Sequence, residues 1–341
     1  MPTIKDVAKE AGVSIATVSY VMNDRNDMVS QKTRDHVLET ALRMGYRANT
    51  IARNLQSQRT NLLAYAWHGN PANQPNMVMD QFIYQLAHSA ESANYHLLTF
   101  THPTGQPIAV YEDLIRSGRV DGFVLAGTTH NDERIQYLME KNFPFVSFGR
   151  ANPQWDEQFH WVDTDGTQGM YVATEYLIKQ GHERIAFIGW PTTSLTGNYR
   201  LQGYLDAMNE YQLDIPSHYR FHSDESENAI SKAFDTWQSL PETQRPTGLI
   251  TVADYVAVAA MRTAEIHGYE IGKSISIIGF DDAPFVRYLQ PGLTTLAQPL
   301  EEITSVLINM LEAVICGETP SKTRILLPPH LIVRGSTGSY S

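Results

Sequence analysis

The chain has 341 residues, a net charge of −11, 42% hydrophobic and 18% charged residues, and a single cysteine. That length holds two or three domains with cores of their own, and the composition excludes a disordered chain. No apolar run approaches the roughly 20 residues of a bilayer span, and one cysteine excludes an intrachain disulfide and a thiolate metal cluster.

Charge is unevenly spread. Residues 1 to 60 carry nine Lys/Arg against six Asp/Glu, a balance of +3, which leaves −14 on the remainder. A mildly basic head on an acidic body predicts that only the head approaches a polyanion. The opening stretch is amphipathic and lacks the apolar core of a signal peptide, so a cytoplasmic protein is expected.

In chain order, Thr3 can cap a first helix whose apolar face is Ile4, Val7, Ala8 and Ala11. Gly12 permits a tight turn and Val13 fills the joint. Ser14 is a natural N-cap for a second helix running to about Met22, with Val18, Val21 and Met22 inward. Ser30 caps a third, in which Val37, Leu38, Ala41 and Leu42 recur at helical spacing before Gly45 stops it. Two short helices joined by a glycine turn, with a third closing the core, predict a small all-α helix-turn-helix head over residues 1–48. The second helix of such a unit enters the DNA major groove. Ile15, Ala16 and Tyr20 then face base edges, while Thr3, Ser14, Thr17, Ser19 and Asn23 hold phosphates and set the register.

The run "TIKDVAKEAGVSIATVSYVMN", followed by "VSQKTRDHVLETALRMGYRANTIARNL", resembles the head of the lactose-repressor and galactose-repressor family of bacterial transcription regulators, and the resemblance continues through the chain. It implies a homodimer on a near-palindromic double-stranded operator and a small-molecule effector bound by the body. Residues 49–60 resemble the family's hinge helix, which inserts a leucine from each subunit into the central minor groove. Asn49, Ala52, Arg53 and Leu55 match its DNA contacts, with Leu55 as the wedge. Such wedges unstack a base step most easily at a pyrimidine–purine step, so a central CG is expected. Many members carry proline where this chain has Ala48, which predicts weaker coupling of hinge folding.

From residue 61 strands alternate with helices. Strands are expected at 61–67, 96–100, 120–127, 143–149, 184–190, 247–252 and 274–280, with helices at 166–180, 200–211 and 255–267 among them. This pattern argues parallel sheets whose ligands bind beyond the carboxyl ends of the strands. The body, 61–341, looks like a two-lobed periplasmic sugar-binding protein. Its first lobe is placed at 61–162 plus 298–322 and its second at 163–297 plus 323–341. Cys316, in an apolar helical run, is read as packing.

Asp281 follows a strand, where a carboxylate can accept two sugar hydroxyls, and Arg200 opens a helix, where its fork can donate to vicinal oxygens. Both match family effector contacts. Trp67 and Trp190 end strands and suit either the face of a pyranose or the core. Asp80 and Phe82 fall where the family's first lobe lines its pocket. Phe148 and Arg150 flank Gly149, where many members place an aspartate, which makes room for a larger ligand. Ala253 stands where an asparagine is frequent, and Asp254 beside it is read as a helix cap. No phosphate loop, zinc motif or nucleophile–base constellation is present, so no cofactor, metal or enzymatic activity is expected. The expectation is a repressor controlled by a sugar or oligosaccharide, with a purine-like effector stacked on Trp67 or Phe82 as the alternative. The C-terminal "RGSTGSYS" shows no leucine heptads, so no tail-built tetramer is expected.

Overall fold

A computed structural model describes residues 2–22, 28–46, 59–67, 77–101, 106–155, 157–222 and 227–340. They fall into two compact units, Met1–Thr60 and Asn61–Ser341.

The first unit has helices α1 (Ile4–Glu10), α2 (Ile15–Met22) and α3 (Gln31–Arg43). The Asp6 carboxylate accepts from both the backbone N–H and the hydroxyl of Thr3 at 2.8 Å, which closes the first turn of α1. These bonds hold the Asp6 pKa below the usual carboxylate range. Gly12, at φ +63°, makes the turn that α1 and α2 need, a conformation that costs any other residue. Ser14 caps α2 by accepting from Thr17 N–H at 3.0 Å, and Ser30 caps α3 through Thr33 N–H at 3.2 Å. Val7, Ala8, Ala11, Val18, Val21, Val37 and Ala41 form one buried core. Leu38 and Leu42 depart from the expected inner face: both are exposed, Leu42 at 82%. The narrow apolar stripe of α3 is met by only two short helices, which cover Val37 and Ala41 and reach no further round.

The second unit holds two six-stranded sheets. In the first lie β1 (Leu62–Ala66), β2 (His96–Phe100), β3 (Gly122–Leu125), β4 (Phe145–Phe148), β5 (His160–Thr164) and β11 (Arg324–Leu327), in the order β11-β5-β4-β3-β1-β2. In the second lie β6 (Ile185–Gly189), β7 (Arg220–His222), β8 (Gly248–Thr251), β9 (Ser276–Asp281), β10 (Thr294–Ala297) and β12 (His330–Ile332), in the order β12-β10-β9-β8-β6-β7. All pairings are parallel except β10 with β12. The helices are α4 (Met77–Ser92), α5 (Ala109–Arg116), α6 (Glu133–Glu140), α7 (Gly166–Lys179), α8 (Leu195–Glu210), α9 (Glu227–Gln238), α10 (Asp254–Ile266) and α11 (Leu300–Ile315).

Strand alternation decides what each face of the first sheet buries. Leu63 and Tyr65 pack with Phe82 and Leu86 of α4 and Leu307 and Leu311 of α11. Ala64 and Ala66 pack with Tyr111 of α5 and Leu138 of α6 on the other face. The second sheet shares one large core with α7 to α10.

The chain crosses between the lobes three times, after β5, after β10 and after β11. This corrects the expected boundaries. The first lobe runs through Thr164 and includes Arg324–Leu327, because β11 pairs with β5, so 163–164 and 323–327 do not belong to the second. Cys316 is exposed at the C-terminal end of α11, past its last buried turn, and is not packed.

Candidate functional site

Around the α2 helix, Ile15 and Ala16 are exposed, whereas Thr17, Ser19 and Tyr20 are half-buried. The hydroxyls of Ser14 and Thr17 also bond each other at 2.9 Å, and Thr3 is engaged with Asp6. This leaves a short face of small and apolar side chains at the start of α2, the kind of surface that meets base edges. Asn23, Asn49, Ala52, Arg53 and Leu55 lie outside the described residues.

In the body, polar groups converge where the strands of both sheets end. Arg200 sits one turn into α8, whose N-cap Ser194 accepts from Gly197 N–H at 3.1 Å. Gly203 lets α8 press on α7, since a Cβ there would stand 2.0 Å from Thr167 O. The Arg200 guanidinium is buried. It donates to Val252 O at 2.6 Å, lies 3.8 Å from Asp281 Oδ1, and stacks 3.6 Å from the ring centre of Phe280 with Trp190 at 5.2 Å. Burial pulls its pKa down, against the pull of the Asp281 carboxylate.

Asp281 ends β9 at φ +127°, an arrangement that non-glycine residues seldom adopt and that tends to mark functional positions. Its carboxylate accepts from Gln298 Nε2 at 2.7 Å, and Gln298 Oε1 accepts from the Thr164 hydroxyl at 2.7 Å. One chain of bonds thus joins the second-lobe carboxylate to two of the crossing segments. Asp254 is not a helix cap: Ala253 holds the cap position, and Asp254 is the first residue of α10, 1% exposed. It accepts from the Thr295 hydroxyl at 2.5 Å and from Ala283 N–H at 2.8 Å, over the bare backbone of Gly279, where a Cβ would stand 2.3 Å away. Burial raises both carboxylates above the ordinary range, and Asp281 raises Asp254 further.

On the first-lobe side, Arg150 follows β4. Its backbone carbonyl accepts from the Thr128 hydroxyl at 2.6 Å and its Nε donates to Asp163 Oδ2 at 2.9 Å. The guanidinium lies 3.4 Å from the ring centre of Tyr199 on α8. Burial raises the Asp163 pKa even with Arg150 beside it. Gly149, at φ +110°, opens no space for a larger ligand, because a Cβ would stand 2.8 Å from Thr128 Oγ1.

The remaining candidates divide. Trp190 donates from Nε1 to the Tyr255 hydroxyl at 2.5 Å, beside Arg200, and so belongs to the cluster. Trp67 is half-exposed at the end of β1, edge-on to Tyr65. Phe82 and Phe148 are both buried and stacked on each other at 4.8 Å, so neither offers a free face and a ligand cannot stack on Phe82 as the sequence suggested. Asp80 lines a groove of about 1160 Å³ between α4, the start of α11 and Pro284, which meets the Arg200 cluster at Gln298. Sequence reasoning missed Asp163, Tyr199, Tyr255 and Gln298. Only Tyr199 carried a signal, as the neighbour of Arg200.

Comparison with known proteins places both units. Residues 3–49 match the family described as bacterial regulatory proteins, lacI family, and residues 174–337 match a periplasmic binding protein-like domain. The HTH-type transcriptional repressor PurR of Proteus mirabilis is 31% identical over 98% of this chain and 97% of its own length. A regulatory protein of the LacI family from Chloroflexus aggregans superposes with a TM-score of 0.77 at 42% identity, over 82% of this chain and all of the other. The transcriptional regulator CelR in complex with cellobiose gives 0.73 at 26% identity, over 98% of this chain and all of the other.

Proposed function

This chain belongs to the LacI family of bacterial transcription regulators, and from that premise we propose that it is a repressor whose hold on operator DNA is set by a sugar or oligosaccharide bound between the lobes. The head is a DNA-binding domain and the relatives are regulators, not enzymes. Two such chains form a homodimer in the cytoplasm and place one head in each half of a near-palindromic operator. Ile15, Ala16 and Tyr20 read base edges, and Leu55 opens the central step.

The observation that carries the sugar reading is the Arg200–Asp281–Gln298 constellation beside Trp190 and Tyr255. A fork of donors, a carboxylate acceptor and an amide within one strand-end cluster match the paired donor and acceptor character of vicinal hydroxyls. Aromatic faces next to them suit the apolar face of a pyranose. The cellobiose complex of CelR favours the same class. The buried Phe82 offers a purine no face to stack on, which leaves Trp67, exposed at the end of β1, as the ring that would serve the alternative purine reading.

Binding acts on DNA only through different affinities for the DNA-competent and incompetent forms of the body. The test is thermal unfolding of the purified protein with mono- and oligosaccharides, β-linked glucosides included, and with purine bases as controls. A native-state ligand at about 100 times its Kd stabilises by about 2.7 kcal/mol. A shift from a glycoside supports the sugar reading; a shift from purines alone overturns it.

A further inference from the structure

We propose that Arg150, Asp163 and Tyr199 form a clasp that holds the two lobes together when no effector is bound, so that Arg150 sets the resting conformation of the body. The three chain crossings all leave from neighbouring strands at one edge of each sheet, β5 and β11 in the first and β10 and β12 in the second. The Thr164–Gln298–Asp281 bonds run along these crossings. They join the lobes at the hinge, where the covalent chain already does so, and cannot fix the angle of opening.

Arg150 is held beside the crossing after β5, since Asp163 just before it and Thr167 just after it support the two sides of a contact that is not itself part of the crossing chain. It follows β4, one strand inside that edge, and reaches across to Tyr199, a residue of α8 that belongs wholly to the second lobe. Every part of the arginine except the face on Tyr199 is fixed from the first lobe. Thr128 holds its carbonyl, Asp163 holds Nε, the Trp161 ring lies 5.8 Å away, and Gly149 before it has no room for a side chain. The Arg150 and Asp163 side chains are only 13% and 11% exposed. The backbone of Tyr199 is fixed from its own side, since its carbonyl accepts from the Thr167 hydroxyl at 3.0 Å. The arginine is therefore pre-positioned, and the side-chain entropy lost on forming the contact falls chiefly on the Tyr199 ring.

A planar guanidinium over an aromatic face, shielded from water, changes an equilibrium by roughly 3- to 30-fold. Opening the lobes breaks this stack and leaves the Arg150–Asp163 pair intact within the first lobe. Lysine cannot replace the arginine, because an ammonium has no plane to lay on the ring while keeping a second donor on Asp163. An effector entering between the lobes then meets a body already biased towards closure, and its affinity includes the state of the clasp.

The experiment uses the full chain without effector or DNA, so that it stands apart from the sugar reading. Spin labels are placed through Glu140→Cys on α6 and Glu265→Cys on α10 in a Cys316→Ser background, diluted with unlabelled protein, and the distance distribution is measured by pulsed electron resonance. Arg150→Met and Tyr199→Ala should each raise the ratio of the longer to the shorter distance by roughly 3- to 30-fold. Tyr199→Phe, which keeps the ring, should not change it, and the double substitution should go no further than either single one. Tyr199 is half-buried at the cleft, so its loss leaves the cores intact. Unchanged distributions for both Arg150→Met and Tyr199→Ala, or shifts that simply add in the double variant, would overturn the clasp.

Discussion

Replacing Asp254 with asparagine should stabilise the protein above neutral pH and change little in acid. The carboxyl is 1% exposed and its pKa is pushed up to about 7, chiefly by burial. In the unfolded chain it titrates near 4, so folding above pH 7 carries a penalty of about 4 kcal/mol that this carboxyl shares with its neighbour Asp281. Because the folded value is the higher one, the native state binds the extra proton. The penalty is absent below about pH 4, grows as pH rises, and is complete above the folded pKa. Asparagine removes the charge and can keep both partners. Its oxygen accepts from Ala283 N–H, and its amide donates to the Thr295 oxygen, whose hydrogen must then turn elsewhere. Allowing about 1 kcal/mol for that rearranged hydroxyl, the gain at pH 8 is about 3 kcal/mol and at pH 4 it turns into a loss of about 1 kcal/mol or less. Urea unfolding of both proteins at intervals from pH 4 to 8 measures it. Parallel stability curves, or a variant weaker at pH 8, would refute the account of a strained buried charge.

Arg200→Met should cost ligand affinity about 10- to 150-fold, the range for lost charge-assisted hydrogen bonds, while operator binding without effector stays close to that of the parent. Titration calorimetry and a gel-shift assay separate the two, and an unchanged ligand affinity would move the pocket elsewhere. Gly203→Ala forces α8 off the Thr167 carbonyl and should lower stability by about 3 kcal/mol, a fall in Tm of roughly 5 to 10 °C in a scanning calorimeter. Leu55→Ala should weaken operator binding by about tenfold or more and random-sequence DNA far less, because only the specific complex contains the opened base step. Equal losses on both DNAs in fluorescence anisotropy would remove the wedge assignment.

Much of the fold was legible because its signals are local. Ser14 and Ser30 announce helix starts, Gly12 a turn, and apolar runs such as Ile185–Gly189 a strand buried on both faces. The missed strands are those whose pattern is broken by polar residues with tertiary partners. β5 ends in Asp163 and Thr164, which read as loop residues, yet both are buried because Arg150 and Gln298 reach them from far along the chain. Leu42 was misread for the opposite reason, since helical spacing tells which residues share a face and not how far a partner covers it. Asp281 was found at the end of its strand and Arg200 through the family resemblance, since the helix expected to open at Arg200 begins five residues earlier, at Leu195. The Arg150–Asp163–Tyr199 contact joins three residues on separate elements of two lobes, and no spacing rule in the sequence encodes it.

The charges of the cleft limit what it can hold. Arg150 is paired with Asp163, and Arg200 lies between Asp281 and the backbone oxygen of Val252, so each guanidinium already faces a carboxylate. Asp254 adds a third acid with no cation within hydrogen-bonding distance among the described residues. An anionic ligand would find no uncompensated positive charge here and would raise the cost of ionising Asp254 and Asp281 still further. A neutral polyol suffers no such repulsion. It can take the guanidinium N–H groups that the carboxylates leave over and the free lone pairs of Asp281, and it can lay its apolar face against Trp190. Affinity in such a site comes from the number and placement of hydroxyls rather than from net charge, which is the chemistry by which one glycoside is told from another.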